Sequence, residues 1–128
     1  MLSRSGFSYA VLRVVPDIER EEFANVGVVM FAPERTFLQA RTVYRPSVID
    51  ALRPGCDHVA IRRQLELVGE IAAGAATTAP FATMTRSERF HWLTTPRSTI
   101  VQPGPLHAGT TDDPEATFDH LFSTLVDR

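Results

Sequence analysis

Arginine supplies every cationic side chain that could hold an anion in this sequence: all 13 basic residues are Arg. A guanidinium can clamp carboxylate or phosphate bidentately, which an ammonium cannot do. Codon bias in a GC-rich bacterial genome is the simpler account of the composition, and the two are compatible. Arg97 lies in the turn Thr95-Pro96-Arg97 and Gln102 ends a strand, so each is presented either to a ligand or to water. His107 lies in the turn-rich segment from Pro105 to Thr111. Gly109 can expose backbone amides there, near the positive end of a final helix, and that combination can hold an anion. A loop packed over the sheet is the plainer reading. Asn25, the one Asn in the chain, stands beside Gly27 at a strand entry. Its side chain either sets the turn or faces a substrate.

Four carboxylates, Asp17, Glu19, Glu21 and Glu22, crowd one connection. A hard cation needs several oxygens converging on one point, and spacing alone does not supply convergence, so a solvated acidic loop is the simpler account. His58, His91, His107 and His120 show no zinc-ligand or i,i+4 spacing. Cys56 lies two residues before His58, and neighbouring positions rarely align a thiol with an imidazole. There is no Gly-Lys-Ser/Thr loop, no dinucleotide fingerprint and no Gly-x-Ser-x-Gly elbow. No metal and no cofactor is therefore expected.

The elements that position these residues follow from periodicity. Phe7 to Val15 reads as a strand stopped by Pro16. Ala10, Leu12 and Val14 form its apolar face, and Arg13 falls on the opposite face. Val26 to Phe31 has no polar alternation and reads as a central strand buried on both faces, with Gly27 marking a bulge or a close backbone approach. Phe37 to Tyr44 completes an antiparallel meander with the second strand in the middle. Pro46 opens a short helix, Ser47 to Leu52. Asp57 caps a longer one to about Ala73, with Ile61, Leu65, Val68 and Ala72 at helical spacing and Gly74 at its end. Ala75 to Glu88 is the expected mobile connection. Arg89 to Thr94 and Ser98 to Gln102 read as two short strands, and Leu106 to Thr111 as loop. Asp113 and Pro114 start a final helix buried through Phe118, Leu121, Phe122 and Leu125. The order β-β-β-α-α-β-β-α makes an α+β domain, an antiparallel meander sheet with two to three packed helices.

Length and composition set bounds. At 128 residues the chain suits one domain. Its net charge of -2 carries no electrostatic footprint for nucleic acid. One cysteine rules out an internal disulfide and suits a reducing cytoplasm. The first six residues hold no apolar leader segment, and the longest apolar run is far too short to span a bilayer.

The segments Tyr9 to Asp17 and Glu22 to Phe31 resemble the opening of the DUF3037 family of bacterial proteins. The run Phe90 to Gln102, then His107-Ala-Gly109 and Asp113-Pro114, resembles that family's second half. The resemblance spans nearly the whole chain and implies no activity. It implies a partner or regulatory role, since members look like small partner proteins often encoded beside HipA-like kinases. It also marks Arg13, Glu22, Asn25, Gly27, Arg97, Gln102 and His107 as motif positions. The family's basic-Gly pair before the Glu is here Arg20-Glu21, which makes that turn less permissive in φ. The leading expectation is a non-catalytic interaction or regulatory module, more a binder than an enzyme. A second is a small enzyme or binding protein for a phosphate-bearing ligand or nucleic-acid end. It would use Arg13, Asn25, Arg97, Gln102 and His107, with Glu22 or His107 as acid/base. A third is a homodimer through Trp92 and strand edges.

Overall fold

β-Branched and aromatic residues dominate the first strand, and its alternation sets both layers of the molecule. The computed structural model describes residues 3–75 and 79–127. Met1 and Leu2 of the segment read as lacking a leader, and 76–78 of the expected mobile connection, lie outside these. The elements are β1 (Ser5–Asp17), β2 (Glu22–Ala32), β3 (Phe37–Thr42), α1 (Pro46–Leu52), α2 (His58–Ala73), α3 (Arg86–Thr94), β4 (Val101–Pro103), β5 (His107–Thr111) and α4 (Pro114–Leu125). The α+β class and the expected order hold, with α3 as a further helix before β4.

The sheet runs β3-β2-β1-β4, and β5 also pairs β1. Every pairing is antiparallel. β2 is the middle of the meander, as its unbroken apolar run requires. β1 is bonded along both edges: β2 takes one, while β5 opposite Ser5–Tyr9 and β4 opposite Leu12–Val14 share the other.

Helices cover both faces. Ala10, Leu12, Val29 and Leu38 pack with Val68, Ile71 and Ala72 of α2 and Phe90 and Leu93 of α3. Val14 and Val26 pack with Ile49 of α1 and Ile61 and Leu65 of α2. On the other face Val28, Met30 and Ala32 meet Phe118 of α4 and Val126. Leu12, Met30, Ile49, Ile61, Ile71 and Phe118 are fully buried. Each such side chain contributes about 1.5–3 kcal/mol relative to exposure. The caps are those the sequence signals. Asp57 accepts from the Ala60 amide and Asp113 from the Ala116 amide, and Gly74 ends α2 at φ 74.

Three segments differ from the expectations. Arg89 to Thr94 is helix, not strand. The pair Thr85 and Glu88 forms a capping box that starts α3, and Phe90, Leu93 and Thr94 then fall on one buried face. Ser98 to Gln102 yields strand only at Val101–Pro103. Leu106 to Thr111 is not loop: His107–Thr111 is β5, recruited because β1 extends back to Ser5 and leaves an edge to satisfy.

Two backbone features follow from composition. Gly27 sits at both a bulge and a close approach. Leu12 pairs with Gly27 and Arg13 with Asn25, so Val26 is the extra residue. A Cβ on Gly27 would come 2.8 Å from the Arg41 carbonyl oxygen. Arginines also brace distant segments through carbonyl oxygens. Arg53 donates to Pro16, Arg89 to Met84, and Arg35 to Ser3 and Asp112.

Gly27→Ala is expected to destabilise the fold by about 1–3 kcal/mol, because backbone rather than a movable side chain opposes the added methyl. A lower urea midpoint at unchanged slope is the predicted signature; an unaltered midpoint contradicts the crowding.

Candidate functional site

The bulge aligns three polar candidates in one row across the sheet. Asn25 of β2, Arg13 of β1 and Gln102 of β4 are cross-strand partners, so they share the face that α4 covers. The helix ends at this row. Asn25 Nδ2 donates to the Leu125 carbonyl at 3.2 Å, and Arg45 Nη2 donates to the Val126 carbonyl at 2.8 Å. Both bonds satisfy carbonyls that a helix end leaves without partners. Asn25 is thus engaged in holding α4 to the sheet.

Beyond that helix end, Arg13 lines an open cleft of about 340 Å³ with Ile18, Glu21, Phe23, Ser98 and Gln102. The Phe23 ring lies 4.1 Å from the guanidinium carbon. Gly104 lies against the guanidinium as well, since a Cβ there would come 3.1 Å from Cζ. Arg13 Nε is shut from solvent with no hydrogen-bond partner. Glu21 shapes the wall by its backbone. It adopts φ 56, ψ 19 at the position where the family resemblance places Gly.

The remaining candidates go elsewhere. Glu22 pairs with Arg20 in solvent. His107 is exposed and stacks on its cross-strand partner Tyr9 with ring centroids 5.1 Å apart. The nearby N-terminus of α4 is closed by Asp113, whose carboxylate accepts from Ala116. Gly109 is needed for a different reason: the Phe7 ring occupies the space of its missing Cβ. Of the acidic connection, Asp17 accepts from the Glu19 amide. Among the described residues no three His, Cys, Asp or Glu gather as metal ligands.

Arg97 belongs to a second place. Its Cζ stacks 4.1 Å from the Trp92 ring centroid. Nη2 donates to the Trp92 carbonyl and Nε to the Thr95 carbonyl, and burial lowers its pKa. Phe81 meets Trp92 edge-on at 4.9 Å. Two cavities of about 580 and 270 Å³ are both lined by Trp92 and Arg97. The first also takes in Met84, Ser87 and His91 of the α3 region, and the second Leu67 and Val68 of α2. No cavity found lines Arg13, Asn25, Arg97, Gln102 and His107 together among the described residues.

Sequence reasoning missed one network. His58 bridges the Tyr44 hydroxyl at Nδ1 and Asp50 Oδ1 at Nε2, the latter at 2.7 Å. Arg62 sits 5.3 Å over the Tyr44 ring. Cys56 takes no part in it and turns its thiol to the Arg53 carbonyl. The network ties the residues after β3 to α1 and α2 across a helix break, and no local spacing announces it.

Fold and geometry together define a small α+β domain with Arg13 and Gln102 in one cleft, Arg97 in a tryptophan groove, and Glu22, Asn25 and His107 in neither. The family model described as a protein of unknown function, DUF3037, matches residues 9–126, and the chain belongs to that family. No curated protein and no solved structure matches it. Among the described residues no helix is long and apolar enough to cross a membrane.

Two substitutions test the cleft's supports. Asn25→Ala is expected to cost about 1 kcal/mol by freeing the Leu125 carbonyl, measured by urea denaturation. Glu21→Gly is expected to stabilise by up to about 1 kcal/mol, since a left-handed φ costs a side chain about 1–2 kcal/mol that Gly avoids. A destabilised Glu21→Gly protein refutes the strain at that turn.

Proposed function

We propose that the protein is a non-catalytic interaction module that docks a partner protein in the groove beside Trp92. One observation carries this reading: two adjoining cavities share a half-buried Trp and an Arg stacked on it. Trp and Arg are the side chains most enriched where truncation costs a complex dearly. Arg97 is already ordered by two carbonyls, so little side-chain entropy remains to be lost on docking. The partner class we propose is a HipA-like kinase of the same host; it rests on the resemblance described above, since the family itself is described as of unknown function. The module then acts by occupying or positioning that kinase, in a reducing cytoplasm.

The test is direct mixing of the purified chain with the HipA-like kinase of its host, read by calorimetry. Ser87→Arg places bulk on the exposed rim of the groove. It is expected to weaken binding at least about tenfold, or about 1.4 kcal/mol, at an unchanged urea midpoint. Trp92→Ala is expected to reduce both binding and stability. Wild-type affinity in the Ser87→Arg protein excludes this groove as the docking face.

A further inference from the structure

Arg13 is a half-buried cation without an anion. Among the described residues it enters no salt bridge, and its Nε has no acceptor. Burying a donor without a partner is costly, and a charge removed from water needs compensation. Phe23 offers a ring face at 4.1 Å. That contact helps the cation but leaves the guanidinium's hydrogen-bonding capacity unused. Arg89 Nε is also buried without a partner, but Arg89 still donates through Nη1 to the Met84 carbonyl and Arg97 donates to two carbonyls, whereas Arg13 enters no side-chain hydrogen bond among the described residues.

We propose that the Arg13 cleft binds a small organic carboxylate. The volume of about 340 Å³ lies at the small end of ligand pockets. Its charge count favours a monoanion over a phosphate dianion, because one guanidinium is opposed by Glu21 at the wall. A planar carboxylate matches the fork of one guanidinium. Gln102 and Ser98 add an amide and a hydroxyl from the β4 side. Asn25 does not line the cleft, and its Nδ2 donates to Leu125. The apolar part of the ligand has a place as well: Phe23 and Ile18 line the same cleft and are 45% and 47% exposed. Exposed apolar side chains beside an unpaired cation make an amphipathic receptor for an acid with a hydrocarbon or aromatic body. This site is independent of the Trp92 groove and stands whether or not a partner docks there.

The test is titration of the full chain with sodium 3-phenylpropionate, followed by nitrogen-15 NMR at the Arg13 Nε–H and the Gln102 side-chain amide. Both signals are expected to shift saturably. The neutral 3-phenylpropanamide is expected to leave them in place. Arg13→Lys keeps the charge and removes the fork, and is expected to weaken the titration at least about tenfold, with dispersed backbone amides confirming the fold. Gln102→Ala, on the neighbouring strand, is expected to weaken it by a smaller factor. The proposal is overturned by an unsaturable response in the wild-type protein, by equal shifts with the amide, or by an unaltered titration in Arg13→Lys. Tighter binding of inorganic phosphate than of 3-phenylpropionate overturns the carboxylate assignment.

Discussion

β1 has no free edge along most of its length, and the rest of the molecule is arranged to satisfy it. β2 holds one side from Ser8 to Asp17, and two short strands from the second half of the chain divide the other. Each backbone donor left open in a buried strand is costly, so the pairing forces the last third of the chain back across its beginning. That return brings Gln102 beside Arg13 and His107 beside Tyr9. It also starts α4 where the helix can lie over β2. The helix layer of α1, α2 and α3 on the opposite face then completes the burial of both sides.

The single-residue insertion at Val26 decides what this return exposes. Side chains alternate along strands, so one extra residue changes which neighbours share a face. Val26 thereby joins Val14 in the packed layer beneath α1 and α2, while Asn25 comes level with Arg13. Asn25 then fastens the end of α4, and α4 stops at the row. The cleft around Arg13 is the part of that face beyond the helix end. Arg97 lies apart from it, stacked on Trp92.

Much of the fold is legible in local pattern. The apolar face of β1, the stripe of α2 and the caps at Asp57, Gly74 and Asp113 each depend on neighbours within a few residues. The helical state of Arg89 to Thr94 was also signalled locally, by Thr85 and Glu88, but its aromatic and Thr content favoured a strand. β5 was not legible, because its identity as a strand depends on pairing with residues at the other end of the chain. The candidate residues behave the same way. Their types were visible, whereas their partners were not: Asn25 meets a carbonyl 100 residues away, and His58 is held by Tyr44 and Asp50 from across a helix break. Glu21 shows a subtler limit. The absence of Gly makes that turn less permissive in φ, yet Glu21 adopts the left-handed conformation there.

The carbonyl-bound arginines have a consequence for how the molecule responds to its solvent. Arg35, Arg53, Arg89 and Arg97 each end on a peptide oxygen. A peptide oxygen carries no net charge for salt to screen. These cross-links to uncharged acceptors therefore form a scaffold largely indifferent to ionic strength. The Arg20–Glu22, Arg41–Asp119 and Arg45–Asp127 pairs lie outside that scaffold and remain open to screening.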